Sequence, residues 1–205
     1  MAGRTHTHNH VKHKYVESTK PIFIAEVKTL SPFGYTSNST FNELLQIAVT
    51  HGDWVSVHTS ALWGGDPQAI ALAKLQTTKP VLAKGIHATD TEIQQMFKLG
   101  ADYVLSVSQP RLIPDVNISK VLFEADFATI KACVGKEPKL LQSKFVCNAR
   151  DLTTGERSRN FIKDFVDSGL WICQASNIVT ICDVHEKAAA YIVGQHLEGF
   201  SYLPR

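Results

Sequence analysis

The chain has 205 residues, 44% of them apolar and 20% charged, with a formal net charge of +2. That composition supplies a packed core and excludes an intrinsically disordered chain, and a near-neutral balance without a dense Lys/Arg run gives no reason to expect nucleic acid as a partner. No stretch approaches the roughly 20 continuous apolar residues that a membrane-spanning helix needs, and the polar, His-rich start through Lys14 lacks the apolar centre of an export signal.

Residues 1–19 read as a flexible, solvated, His-rich tail with at most a short extension, and residues 20–205 as one domain. The first strand is expected at 22–27 (IFIAEV), an apolar, β-branched run. A helix follows over 41–51 with Thr40 as its cap, then a strand at 54–58 (WVSVH). The next helix is expected over 67–76 behind Asp66, and the third strand over 80–84, opened by Pro80. A helix over 90–99 stops at Gly100, and a fourth strand spans 103–107. Pro110 and Pro114 argue against a full helix in 108–120, so that connection is expected to be irregular. Strands at 121–125, 145–148, 170–174 and 190–193 complete the set. Helices at 128–133 and 156–167 separate the first three of these, and the last two are joined by the short stretch 178–189. Only a brief helix fits after Gly194.

Strand-then-helix alternation repeated to eight strands predicts an α/β fold with a parallel sheet, closed into a minimised (β/α)8 TIM barrel with shortened or missing connecting helices. The rival, a doubly wound open sheet, is weakened because no GxGxxG follows the first strand.

Such barrels carry their chemistry at the C-terminal ends of the strands. There the sequence places Glu26 and Lys28, on one side of an extended strand, then Lys84, Glu124, Asn148 with Arg150, Ser176 with Asn177, and Gly194 with Gln195. Buried charges need partners. The bland reading is a salt-bridge network that satisfies the barrel interior; the convergence of Glu26, Lys28, Lys84 and Glu124 on one mouth favours an acid–base site. The loops after strands seven and eight are the usual anion site of the fold. Cys133, Cys147, Cys173 and Cys182 lack CxxC spacing, so neither a disulfide framework nor structural zinc is expected, and reduced cytoplasmic thiols are the default. The histidines show no ligand spacing, so no metal is expected.

Several segments resemble indole-3-glycerol-phosphate synthase. IAEVKTLSPFG (24–34) is similar to the family's first-strand motif I-A-E-x-K-x-x-S-P-S-x-G, and VSVHTSALWGGD to the second-strand S-V-L-T-E-x-x-x-F-x-G-x. PVLAKGI resembles P-V-L-x-K-D-F, LGADYVLSV the fourth-strand G-A-D-x-x-L-L-I, LFEAD the fifth-strand L-V-E-V, and VCNARDLTT the sixth-strand I-x-N-N-R-D-L-x-T. QASNI stands for A-E-S-G-I and AYIVGQHL for A-x-L-V-G-x-x-L, so the resemblance runs over about residues 20–198.

The resemblance implies a carboxy-lyase of tryptophan biosynthesis that converts 1-(2-carboxyphenylamino)-1-deoxyribulose 5-phosphate to indole-3-glycerol phosphate. Lys84 takes the role of general acid and Glu124 of general base, with Glu26, Lys28 and Asn148 as further catalytic positions. Ser31, Trp63, Arg150 and Ser176 become substrate contacts, and Asn177, Gly194 and Gln195 the phosphate site. It implies no cofactor, a small anionic phosphosugar as partner, no membrane, and a monomer or weak homo-oligomer in the cytoplasm. Gly85, Ile86, Ala175, Asn177 and Gln195 depart from the motifs, which carry Asp, Phe, Glu, Gly and Ser there. Two alternatives stay open: a catalytically impaired or non-enzymatic relative on the same barrel, and another phosphosugar barrel such as phosphoribosylanthranilate isomerase, which needs an Asp/Cys pair at strand ends.

Overall fold

The computed structural model describes residues 20–156 and 162–201. The tail expected at 1–19, part of the helix expected at 156–167 and the last four residues lie outside the described residues. The described elements run β1 (Ile22–Val27), α1 (Phe41–His51), β2 (Trp54–His58), α2 (Ala69–Gln76), β3 (Val81–Lys84), α3 (Asp90–Lys98), β4 (Tyr103–Ser106), β5 (Val121–Glu124), α4 (Phe127–Lys136), β6 (Lys144–Asn148), α5 (Ile162–Val166), β7 (Ile172–Ala175), β8 (Ala190–Val193) and α6 (Leu197–Ser201). All neighbouring strands pair in parallel, and β8 pairs with β1, so the sheet is closed. With eight strands and fewer than eight helices among the described residues, this is a minimised TIM-like barrel.

The alternation of side chains sorts the core into two layers. Ile24, Leu82, Leu122, Val146, Cys173 and Ile192 pack together inside the barrel. Phe23, Ala25, Val55, Val81, Phe123, Phe145 and Tyr191 belong to a second cluster with the apolar faces of the helices. The N-terminal end of the barrel is closed by aromatic rings: Trp54 stacks on Tyr103 at 4.0 Å, and Lys144 Nζ lies over Tyr103 and Trp171 at 5.2 and 5.3 Å. The interior is therefore filled from below, and open space is left at the C-terminal mouth.

The helices start where local chemistry sets them. Thr40 and Thr89 form capping boxes with Glu43 and Glu92, satisfying backbone donors at the starts of α1 and α3. The Asp126 side chain caps α4. The expected start at Pro67 is corrected: α2 begins at Ala69. Ala69 N and Ile70 N bond to the carbonyls of Asp66 and Pro67, so the chain makes a tighter turn first, with the Asp66 carboxylate accepting from Gln68 N. The 108–120 connection holds only a three-residue 3-10 turn at Ile118–Lys120, and 178–189 another at Ile181–Asp183. The seventh strand also shifts, to Ile172–Ala175, because Trp171 turns into the aromatic floor.

Candidate active site

A cavity opens at the C-terminal mouth. Among its lining residues are Glu26, Lys28, His58, Trp63, Lys84, Glu124, Asn148, Arg150, Ser176, Asn177, Gly194 and Gln195. These sit at strand ends or in the loops just beyond, where the period of two turns alternate side chains inward above the apolar layer. Ser31 is the expected contact that does not line the cavity. It is buried in the turn after β1, where its Oγ accepts from Phe33 N at 3.2 Å and its N–H donates to Tyr35 O.

At the centre, Glu26 is buried and its Oε1 accepts from Lys84 Nζ at 2.9 Å and from His58 Nε2. Burial alone would push the Glu26 carboxyl up. The Lys84 ammonium, with the His58 contact and Lys28, outweighs it and holds the group well below the usual carboxylate range. His58 goes the other way: burial, reinforced by Lys84 and Lys28, lowers it despite the neighbouring carboxylate. The consistent assignment is an ionised Glu26 and a neutral His58 that donates from Nε2. His58 Nδ1 is buried with no hydrogen-bond partner, and a bare lone pair there costs less than an orphaned N–H. The ring stacks on Trp63, centroids 5.4 Å apart and planes within 6°, and Lys28 Nζ lies 4.7 Å from the centre of the Trp63 ring.

A second hydrogen-bonded line crosses the mouth. Ser176 Oγ donates to Asn148 Oδ1 at 2.7 Å, Arg150 N donates to the same oxygen at 3.0 Å, and Asn148 Nδ2 donates to Glu124 Oε1 at 2.8 Å. With both carbonyl lone pairs of Asn148 used, its amide can point only one way. Burial raises the Glu124 carboxyl above its ordinary value, helped by the Glu26 charge, while Asn148 and Lys84 restrain the rise. The two carboxyls are thus pushed apart, Glu26 down and Glu124 up, which is the pattern expected of a candidate acid–base site.

Two of the departures from the motifs, Gly85 and Asn177, fit their surroundings. At Gly85 a Cβ would stand 2.6 Å from Thr59 Oγ1 and 2.8 Å from the His87 ring, so these side chains fill the space an Asp would use. His87 is locked there, its Nδ1 bonded to Leu105 O at 2.7 Å and its Nε2 to Thr59 Oγ1 at 2.8 Å. Ser176 and Asn177 have φ of 66° and 56°; Asn tolerates this left-handed region better than most residues, so it fits where Gly is usual. Cys147 belongs to the outer layer between sheet and helices, away from the mouth where the isomerase alternative needs a thiol, and burial pushes it up to about 12.

His58 is the residue that sequence reasoning passed over. Read from sequence it is only one of the histidines without ligand spacing, although the Trp54, Ser56, His58 alternation of β2 puts it on the inward face. Its partner Glu26 lies 32 positions away, and only the register of the sheet, which pairs His58 with Lys84, brings the three together. Among the described residues no group of three or more His, Cys, Asp or Glu could hold a metal ion, and no helix is long and apolar enough to cross a membrane.

The closed eight-stranded parallel barrel, with ionisable groups gathered at its C-terminal mouth, defines the class: a small TIM-like barrel with a candidate acid–base site. Comparison with known proteins adds a distant, partial homology. The indole-3-glycerol phosphate synthases of Legionella pneumophila strains Lens, Paris and Philadelphia 1 are each 35% identical to the chain over 105 residues, 49% of this chain and 40% of the relative. The match thus spans two fifths of the length of these curated relatives. No family model matches the chain.

Proposed function

We propose that residues 20–205 form one catalytic domain with indole-3-glycerol-phosphate synthase activity, a carboxy-lyase reaction of tryptophan biosynthesis. The observation that carries the reading is the pairing in one cavity of an ionised Glu26–Lys84 couple with a Glu124 whose carboxyl is raised by burial. The motif resemblance and the distant homology to synthases support it.

The substrate would be 1-(2-carboxyphenylamino)-1-deoxyribulose 5-phosphate. Lys84, held by Glu26, protonates the ketone oxygen as the aromatic carbon attacks the carbonyl. The ring carboxylate then leaves as CO2, restoring aromaticity. Glu124 takes the carbon-bound proton whose loss expels the hydroxyl, which leaves as water on taking a proton from Lys28, and Asn148 keeps the Glu124 carboxyl aimed inward. Lys28, Lys84 and Arg150 give the mouth a cationic surplus over Glu26, suited to a substrate carrying a carboxylate and a phosphate. Asn177, Gly194 and Gln195 would receive the phosphate, and Trp63 with Leu62 and Ile86 the aromatic ring.

The chemistry asks nothing of a cofactor. The test is kinetic: Lys84→Ala and Glu124→Gln should each lower kcat by at least about a hundredfold, the usual scale of a lost acid or base. Activity that survives Lys84→Ala would refute the assignment of the acid. A second reading, a barrel that binds such an anion without turning it over, is favoured by the filled space at Gly85 and by Ala175, where carboxylates of the motif are absent. Binding of the substrate without product by the wild type would select it.

A further inference from the structure

His58 has no part in the reaction as written, yet it is built into the mouth as firmly as the residues that do. It is 4% exposed, stacked on Trp63, and paired in register with Lys84 on the adjacent strand. Its Nε2 and the Lys84 ammonium meet on the same oxygen, Glu26 Oε1. The other oxygen, Oε2, lies against Gly194, where a Cβ would come within 2.4 Å. Glu26 is therefore held through Oε1 by two donors, with Oε2 facing a position where only a glycine leaves it room.

We propose that His58 is a positioning residue: a neutral imidazole that donates its Nε2–H to Glu26 Oε1 and so sets how tightly that carboxylate holds Lys84. The charged groups facing it are Glu26 from β1, Lys28 just beyond β1 and Lys84 from β3. Burial, with the two cations adding to it, keeps the ring neutral despite the carboxylate. A carboxylate oxygen that accepts from two donors holds each less strongly than one that serves a single donor. With His58 present, the Lys84 ammonium is kept in place yet remains able to give up a proton. Without it, Oε1 is committed to Lys84 alone, and the ammonium is held more tightly against Glu26.

The inference rests on the synthase reading for its kinetic arm, and a spectroscopic arm stands apart from it. In the kinetic arm, His58→Leu should lower kcat/KM roughly ten- to a hundredfold, the worth of a hydrogen bond to a charged group. It should also shift the basic limb of the pH–rate profile to higher pH. His58→Gln, which keeps an N–H donor, should recover most of the rate and the original limb. A loss that Gln does not restore, or a His58→Leu profile unchanged in rate and position, overturns the proposal.

The second arm uses 15N spectra of the imidazole ring of the wild-type protein, without substrate. The expected result at pH 7 is one protonated nitrogen, Nε2, with Nδ1 bare, and a weakened preference in Glu26→Gln. A ring protonated on both nitrogens, or on Nδ1 alone, overturns the proposal whether or not the protein turns over substrate. A wild type with the Nε2–H ring and no turnover sinks the synthase reading and leaves the hold of His58 on Glu26 supported.

Discussion

Gly194 and Glu26 touch across the seam where the barrel closes: a Cβ at position 194 would stand 2.4 Å from Glu26 Oε2. The far end of a carboxylate could ordinarily swing away, but this one is fixed through its other oxygen by Lys84 and His58. Gly194→Ala is therefore expected to act as overpacking against a rigid ion pair. The cost should be about 1–3 kcal/mol in stability, with a loss of activity larger than that of an Ala placed elsewhere on the loop. Urea unfolding midpoints and steady-state rates measured together would check both parts.

Glu124 should show the opposite balance. Its folded-state carboxyl is raised, so the folded protein binds this proton more tightly than the unfolded chain does. Such a group favours folding at pH values below its unfolded value, and that favour is lost as pH rises through the folded value. At neutral pH and above, the charge is a burden on the fold. Glu124→Gln removes the charge and keeps an oxygen for Asn148 Nδ2, so the variant should be inactive and more stable than the wild type at pH 8. The difference should close as pH falls below about 4.3. A thermal-melt series across pH measures it.

Acid should destabilise the wild type in two stages. His58 and His87 are both lowered, chiefly by burial, so as pH falls through about 6.5 the unfolded chain takes up protons before the folded one does. Stability present above that pH is lost over the window from there down to the folded values. Glu26, held low, adds a second loss below about 4.3. His87→Asn should shallow the first stage and leave the second. Unfolding free energies from pH 8 to pH 4 would show whether the two stages separate.

How much of this was legible in the sequence depends on the range of the interaction. β1, β2 and β8 match their expected limits because each is a short apolar run bounded by polar or turn residues. The starts of α1 and α3 were set by capping chemistry within three residues, and Thr40 could be read for that reason. Where a tertiary contact decided the boundary, the expectation slipped: Trp171 joins the aromatic floor instead of extending β7. The same holds for the site. Glu26, Lys84, Glu124 and Asn148 could be found from strand ends alone, since the fold puts every strand end at one mouth. The clamp of His58 on Glu26 depends on sheet register and on Trp63 packing beside it, and neither leaves a local trace. Ser31 lies off the cavity lining, its hydroxyl accepting from the backbone of Phe33 two residues on.

Asn177 tests the altered loop after β7. Its φ of 56° lies in the left-handed region, which Gly adopts freely, Asn tolerably and β-branched residues poorly. Asn177→Gly should leave stability within a few tenths of a kcal/mol, whereas Asn177→Val should cost about 1–2 kcal/mol. If the loop holds the phosphate, the Val variant should also raise KM more than it lowers kcat. Denaturant titration and Michaelis–Menten curves for the pair would decide.

The central claim is that this mouth closes an indole ring. The direct measurement is the rise of indole fluorescence when purified wild-type protein is mixed with 1-(2-carboxyphenylamino)-1-deoxyribulose 5-phosphate, run beside Lys84→Ala at equal concentration. The account predicts a steady rise that scales with wild-type concentration and is nearly absent from the variant. No rise with the wild type, or equal rises from both proteins, would contradict it.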